Sequence, residues 1–111
     1  MARTAKALER RAVFVASGSV SHKLVRGPEK WPAAADQELD HRLARLLADG
    51  DYEKAWAWLP EFADAADPEM GGRHLAMLLG VLIETGARFE AENHAYGPSS
   101  GSGNYVISMA I

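Results

Sequence analysis

The sequence predicts an α/β chain in which a mixed sheet is layered with helices. Three observations carry that expectation. AVFVA, Ala12 to Ala16, is a continuous apolar run of strand-favouring residues, the pattern of a strand covered on both faces. Leu39, Leu43, Leu46 and Leu47 recur at helical spacing, and LAMLLGVLI, Leu75 to Ile83, reads as a buried helix. At the end of the chain, Tyr105, Ile107, Met109 and Ile111 alternate with other residues in the period of a final strand.

With 111 residues, 48% of them hydrophobic and 24% charged, the composition is that of a folded globular domain. The length allows one domain, 1–111, with a single modest core. Twelve basic and fifteen acidic residues give a net charge of −3, which leaves no basic surplus to neutralise phosphates. Nucleic acid is therefore not an expected partner. The chain has no cysteine, so disulfides, thiolate zinc sites and cysteine nucleophiles are excluded. LAMLLGVLI is the longest apolar run and falls well short of the roughly 20 residues that cross a bilayer, so no membrane partner is expected. MARTAKALER has no apolar signal-peptide centre, and a cytoplasmic location is expected.

Taken in order, Thr4 to Arg10 reads as the end of an amphipathic helix, with Ala5, Leu8 and Ala12 on one side. The AVFVA strand ends at the turn signal Ser17-Gly18, and Gly27-Pro28 with Trp31-Pro32 marks a loop. The leucine-spaced helix carries Asp36, Glu38, Asp40, Arg42 and Arg45 between its apolar positions and ends at Asp49-Gly50-Asp51. A second short helix covers Tyr52 to Leu59 and is stopped by Pro60. Its Trp56 and Trp58 point in different directions, one into the core and the other partly exposed. Asp67-Pro68-Glu69 opens the next helix, with proline and acidic residues in its first turn. That helix runs to about Glu84 and is closed by Gly86. Phe89 to Tyr96 forms a strand, and GPSSGSG, Gly97 to Gly103, is a flexible connection. It is no phosphate cradle, because it lacks a Gly-Lys-Ser/Thr ending and precedes a strand.

Two residues invite a chemical reading. His22 follows ASGSVS, on a loop beyond the expected strand, where open α/β sheets bind their ligands. Histidine titrates near neutrality and can take and return a proton in one turnover. Position alone favours the plainer reading, a polar surface histidine on a loop. A serine nucleophile among Ser17, Ser19 and Ser21 is disfavoured, because the segment has no Gly-x-Ser-x-Gly elbow and triad members usually come from separate loops. Glu69 is most simply a helix-start carboxylate, yet Gly71-Gly72 beside it weakens the helix and leaves room around it. His41, His74 and His94 show no metal-ligand spacing, and Glu69 and His74, five apart, fall on different faces of a continuous helix.

ASGSVSHKL (Ala16–Leu24), LPEFAD (Leu59–Asp64), PEMGGRHLAMLLGVL (Pro68–Leu82) and the PSSGSG turn together resemble the class III extradiol ring-cleavage dioxygenases, the LigB-type catalytic domain. The resemblance covers almost the whole chain and matches the C-terminal part of that domain, so 1–111 is expected to be a single partial domain. It implies His22 as acid/base catalyst and Glu69 as carboxylate ligand of a non-haem Fe(II), with Mn(II) as the alternative metal. It implies a catechol-type aromatic and O₂ as substrates, because two histidines and one carboxylate leave adjacent metal positions open for both. Ser17, Ser21 and Tyr96 are expected to line the substrate pocket. The family's two histidine ligands belong to its N-terminal part, to which nothing here is similar. A complementing N-terminal chain or a homo-oligomer is therefore an expected partner. A non-catalytic remnant that keeps the fold without the metal chemistry is the competing expectation.

Overall fold

The computed structural model describes residues 2–110. Its helices are α1 (Ala2–Ala7), α2 (Ala34–Ala48), α3 (Tyr52–Ala66) and α4 (Arg73–Thr85), with a 3-10 turn at Glu69–Gly72. Its strands are β1 (Glu90–Ser99) and β2 (Ser102–Ala110). α2, α3 and α4 meet around Leu43, Leu47, Phe62 and Leu79, and the hairpin packs Tyr96, Tyr105, Ile107 and Met109 against the same core.

α2 forms where the leucine spacing placed it, and it buries Leu43 and Leu47. α3 runs seven residues past its expected end at Leu59, with Pro60 inside it. An interior proline removes one helical hydrogen bond and costs about 3 kcal/mol. Continuing the helix buries Phe62 and Ala66 completely, and a large apolar side chain contributes about 1.5–3 kcal/mol when buried. The rest of the turn's hydrogen bonds add to that, so packing overrides the proline. Trp58 is 8% exposed and Trp56 50%, as the two-residue offset predicts.

α4 starts later than the sequence suggests. Met70 and Gly71 have φ of 53° and 64°, so the chain from Glu69 makes a tight 3-10 turn and becomes α-helical only at Arg73. Glu69 therefore stands outside the α-helix rather than in its first turn. At the far end Gly86 caps the helix in the left-handed conformation, donating its N–H to the Ile83 carbonyl.

β1 and β2 form an antiparallel hairpin, Glu90 opposite Ala110 and Ser99 opposite Ser102, with a register shift between Asn93 and Ala95. Most of GPSSGSG is thus paired strand, and the turn is confined to Ser100-Gly101. The expected alternation holds at Tyr105, Ile107 and Met109, while Ile111 lies outside the described residues.

The main correction concerns AVFVA. It is not a covered strand: Val13 is 90% and Val15 81% exposed. A strand buried on both faces needs neighbours to pair its amides and carbonyls, and the only sheet among the described residues is the two-stranded hairpin. The expected mixed sheet is replaced by that antiparallel pair. α1 also ends before Arg10, leaving Leu8 65% exposed, and the Arg3–Glu84 ion pair at 2.7 Å ties it to α4. No described helix is long and apolar enough to cross a membrane.

Candidate functional site around His22 and Glu69

The segment Ser19–His22 belongs to neither helix nor strand, and three neighbouring elements hold it. The start of β2 takes Val20 N–H on the Gly103 carbonyl and returns Gly103 N–H to the Ser21 carbonyl, each at 2.9 Å. His22 N–H donates to the Ala66 carbonyl at the end of α3, at 3.3 Å, and His22 bridges to Ser102. From α2, the fully buried Asp40 accepts Ser21 N–H at 2.9 Å and Ser21 Oγ–H at 2.6 Å. The Tyr96 hydroxyl of β1 donates to the same carboxylate at 2.6 Å.

A Cβ at Gly103 would overlap the Asp40 carboxylate and the hydroxyls of Tyr96 and Ser21, so only glycine fits where loop, helix and hairpin cross. Burial raises the Asp40 carboxyl above its ordinary range, against the lowering effect of the Ser21 and Tyr96 bonds. Burial and then Asp40 push the Tyr96 hydroxyl up strongly, so it stays protonated as a donor.

A fourth anchor comes from the 3-10 turn, fifty residues away in sequence. Ser19 N–H donates to Glu69 Oε2 at 2.8 Å, and Ser19 Oγ lies 3.2 Å from the same oxygen. Ser19 Oγ is also 2.6 Å from His22 Nδ1. One serine thus connects the imidazole to the carboxylate. The Ser19 amide and hydroxyl hold the Glu69 carboxyl below its ordinary range, and the nearby imidazoles of His22 and His74 act in the same direction. Ser19 is 4% exposed. A hydroxyl so enclosed, and engaged by Glu69, offers no approach to an electrophile, which argues against its being a nucleophile despite its contact with His22.

The left-handed pair Met70-Gly71 interrupts the helix between Glu69 and His74, and the two side chains act on each other electrostatically. The helical-face argument that separates them in sequence therefore does not apply. His74 is 5% exposed, and neither ring nitrogen has a hydrogen-bond partner. Desolvation pushes its pKa down, so the ring is neutral at pH 7. It packs on Gly18, where a Cβ would come within 3.0 Å of three ring atoms. His41 bonds the Tyr105 hydroxyl, and the exposed His94 bonds Ser108 Oγ at 2.7 Å. Neither reaches the Ser19–Glu69 contact.

Ser17 is exposed at the entrance of the loop, whereas Ser21 and Tyr96 turn their hydroxyls inward to Asp40. A cavity of about 420 Å³ lies beside the loop, walled by the unpaired AVFVA segment, Val20, His74, Leu43 and Tyr105. Among the described residues no three His, Asp or Glu side chains are placed to hold a metal ion. The donors of this chain alone do not make a two-histidine, one-carboxylate centre.

Sequence reading overlooked Ser19 and Asp40 as partners in the site. Asp40 had a visible signal: Asp36, Asp40, Leu43 and Leu47 fall on one helical stripe, and all four are buried. Ser19 had only its three-residue separation from His22.

The sequence around this loop and turn falls within a match to a known family. A family model for the catalytic LigB subunit of aromatic ring-opening dioxygenase matches residues 1–107, and the chain belongs to that family. A 3,4-dihydroxyphenylacetate 2,3-dioxygenase of Escherichia coli is 30% identical over 89 residues, covering 72% of this chain and 32% of that protein. Protein CA_C1420 of Clostridium acetobutylicum is 32% identical over 102 residues, covering 92% of this chain and 21% of that protein. The chain spans about a third or less of the length of these relatives.

Proposed function

We propose that this chain carries the acid/base and carboxylate half of an extradiol dioxygenase that opens a catechol-type ring, 3,4-dihydroxyphenylacetate-like, with O₂. The observation that carries the reading is the Ser19 bridge between His22 Nδ1 and Glu69 Oε2. It joins an imidazole, a side chain able to take and return a proton, to a carboxylate, on a loop braced by α2, α3 and the hairpin. His22 takes the proton of a catechol hydroxyl and returns one later in the reaction. Ser19 occupies Glu69 Oε2, and no hydrogen bond among the described residues reaches Oε1. That oxygen is the donor this chain offers to a metal. Ser17, exposed at the loop entrance, contacts the substrate, while Ser21 and Tyr96 support the pocket through Asp40.

A non-haem Fe(II), with Mn(II) the alternative, would supply the centre at which catechol and O₂ react, with Glu69 as its carboxylate ligand from this chain. The described residues supply one carboxylate toward it and not a full set. We assign the two imidazole donors to a complementing N-terminal chain or the N-terminal part of a longer polypeptide, in keeping with the share of the relatives that this chain spans.

Co-expression with an N-terminal segment of a relative, followed by Fe(II) and 3,4-dihydroxyphenylacetate in air, is expected to give a coloured ring-fission product. His22→Ala and Glu69→Ala are each expected to abolish it. Activity that survives both substitutions would falsify the assignment. The incomplete donor set favours a second reading, a remnant without metal chemistry. A complemented preparation that holds no stoichiometric iron or manganese and forms no product would decide for the remnant. Size-exclusion chromatography with and without the N-terminal segment reports whether the chain self-associates or takes up that partner.

A further inference from the structure

We propose that Ser19 is a positioning residue that fixes the tautomer of His22, so that Nδ1 carries the proton and Nε2 is left bare as the base. The use of that base rests on the function proposed above, but the tautomer itself follows from three atoms. Ser19 Oγ has one proton and two neighbours, His22 Nδ1 at 2.6 Å and Glu69 Oε2 at 3.2 Å. Either distance accommodates a hydrogen bond of either polarity, so charge decides.

Glu69, an ordinary carboxylate ionised at neutral pH, can only accept, and its Oε2 already takes the Ser19 amide N–H. Were Ser19 to donate to Nδ1, its oxygen lone pairs would face an anionic oxygen 3.2 Å away, and the contact would be repulsive. When Ser19 donates to Oε2, the bond is charge-assisted, roughly twice as strong as a neutral one. Its oxygen is then free to accept, and the partner at 2.6 Å must be Nδ1–H. The chain of bonds runs Nδ1–H to Oγ–H to carboxylate.

Two further features support the direction. The Ser19 amide fixes Oε2 at 2.8 Å, so the carboxylate cannot rotate its charge away from the hydroxyl. Ser19 is 4% exposed, so bulk water does not compete for the hydroxyl proton. A histidine base works from the ring nitrogen that lacks a proton, and the bond made by the other nitrogen sets which one that is. Ser19 thereby leaves Nε2 as the basic nitrogen and, through Glu69, stabilises the imidazolium formed when Nε2 takes a proton.

The test is ¹⁵N-labelled histidine NMR on the metal-free 111-residue chain, at a pH where His22 is neutral. The expected spectrum shows His22 in the Nδ1–H form. Ser19→Ala should lower the Nδ1–H to Nε2–H ratio about tenfold or more, the scale of one charge-assisted hydrogen bond. Ser19→Thr, which keeps the hydroxyl, should restore it. Glu69→Ala keeps the hydroxyl but removes its acceptor, so Ser19 should turn to donate to Nδ1 and give the Nε2–H form. The resonances of His41, His74 and His94 report on the fold in every variant, and Glu69→Ala tests the relay if Ser19→Ala perturbs the loop. An Nε2–H form in the unsubstituted chain, or a ratio indifferent to both Ser19→Ala and Glu69→Ala, overturns the inference. The measurement needs neither metal nor turnover. An Nδ1–H form in a chain that never yields ring-fission product sinks the function and leaves the tautomer standing, and the reverse result does the opposite.

Discussion

Asp40 joins three parts of the chain that are distant in sequence: the loop before His22 through Ser21, β1 through Tyr96, and its own helix α2. Replacing it with alanine leaves two buried hydroxyls and an amide without partners. Asp40→Ala is expected to cost about 3 kcal/mol, measured by urea denaturation. Asp40→Asn separates charge from shape. The folded chain holds the Asp40 proton to a higher pH than the unfolded chain, whose value is near 3.8. Across that window the folded state binds more protons, so this group makes stability fall as pH rises. In Asp40→Asn that fall is expected to be absent from a series of melting temperatures. Glu69 acts with the opposite sign. Its folded pKa lies below the ordinary 4.5, so its contribution is present above that value and is lost as pH falls through the folded pKa. Glu69→Gln is expected to flatten the acid side of the same series. Gly103→Ala places a methyl group on three polar atoms at once, and its thermal transition is expected to drop well below that of Gly97→Ala, where a Cβ meets nothing within 4 Å.

At the scale of elements, α3 and α4 show how packing and backbone conformation redraw boundaries that local composition suggests. Pro60 lies on the exposed side of α3, while Trp58, Leu59 and Phe62 are buried. Pro60→Ala restores the hydrogen bond to the Trp56 carbonyl without disturbing the buried face. It is expected to raise stability by about 1–3 kcal/mol, read as a higher melting temperature. The 3-10 turn has the opposite meaning. Met70 takes a left-handed φ that is costly for a residue with a Cβ, and the turn carries Glu69 to the Ser19 amide. A straight helical start at Pro68 would leave Glu69 directed by the helix axis, so the backbone strain accompanies the placement of the carboxylate.

Across the whole molecule, the core of α2, α3, α4 and the hairpin is continuous, whereas AVFVA packs on one side only. None of the amides from 11 to 18 donates a hydrogen bond to another backbone group among the described residues. In hydrogen exchange these amides are expected to exchange at nearly unprotected rates, while those of α3 and α4 show protection close to that of global unfolding. Binding of an N-terminal segment that pairs with AVFVA would slow their exchange. The same experiment run with and without that segment therefore reports on the complementation proposed above. Unchanged exchange in a complex that does form would place the partner elsewhere.

The sequence by itself determined the elements whose signals are local. Leucine spacing fixed α2, Gly86 fixed the end of α4, alternation fixed β2, and the two-residue offset separated Trp56 from Trp58. Tertiary structure alone decided the rest, because each remaining outcome depends on a partner far along the chain. AVFVA has the composition of a covered strand but no neighbouring strand among the described residues to cover it, and Pro60 reads as a stop until Phe62 is buried beneath it. His22 and Glu69 each read as ordinary residues in isolation. Ser19 relates them through hydrogen bonds that span fifty residues, and a bond of that range leaves no periodicity for a sequence to display.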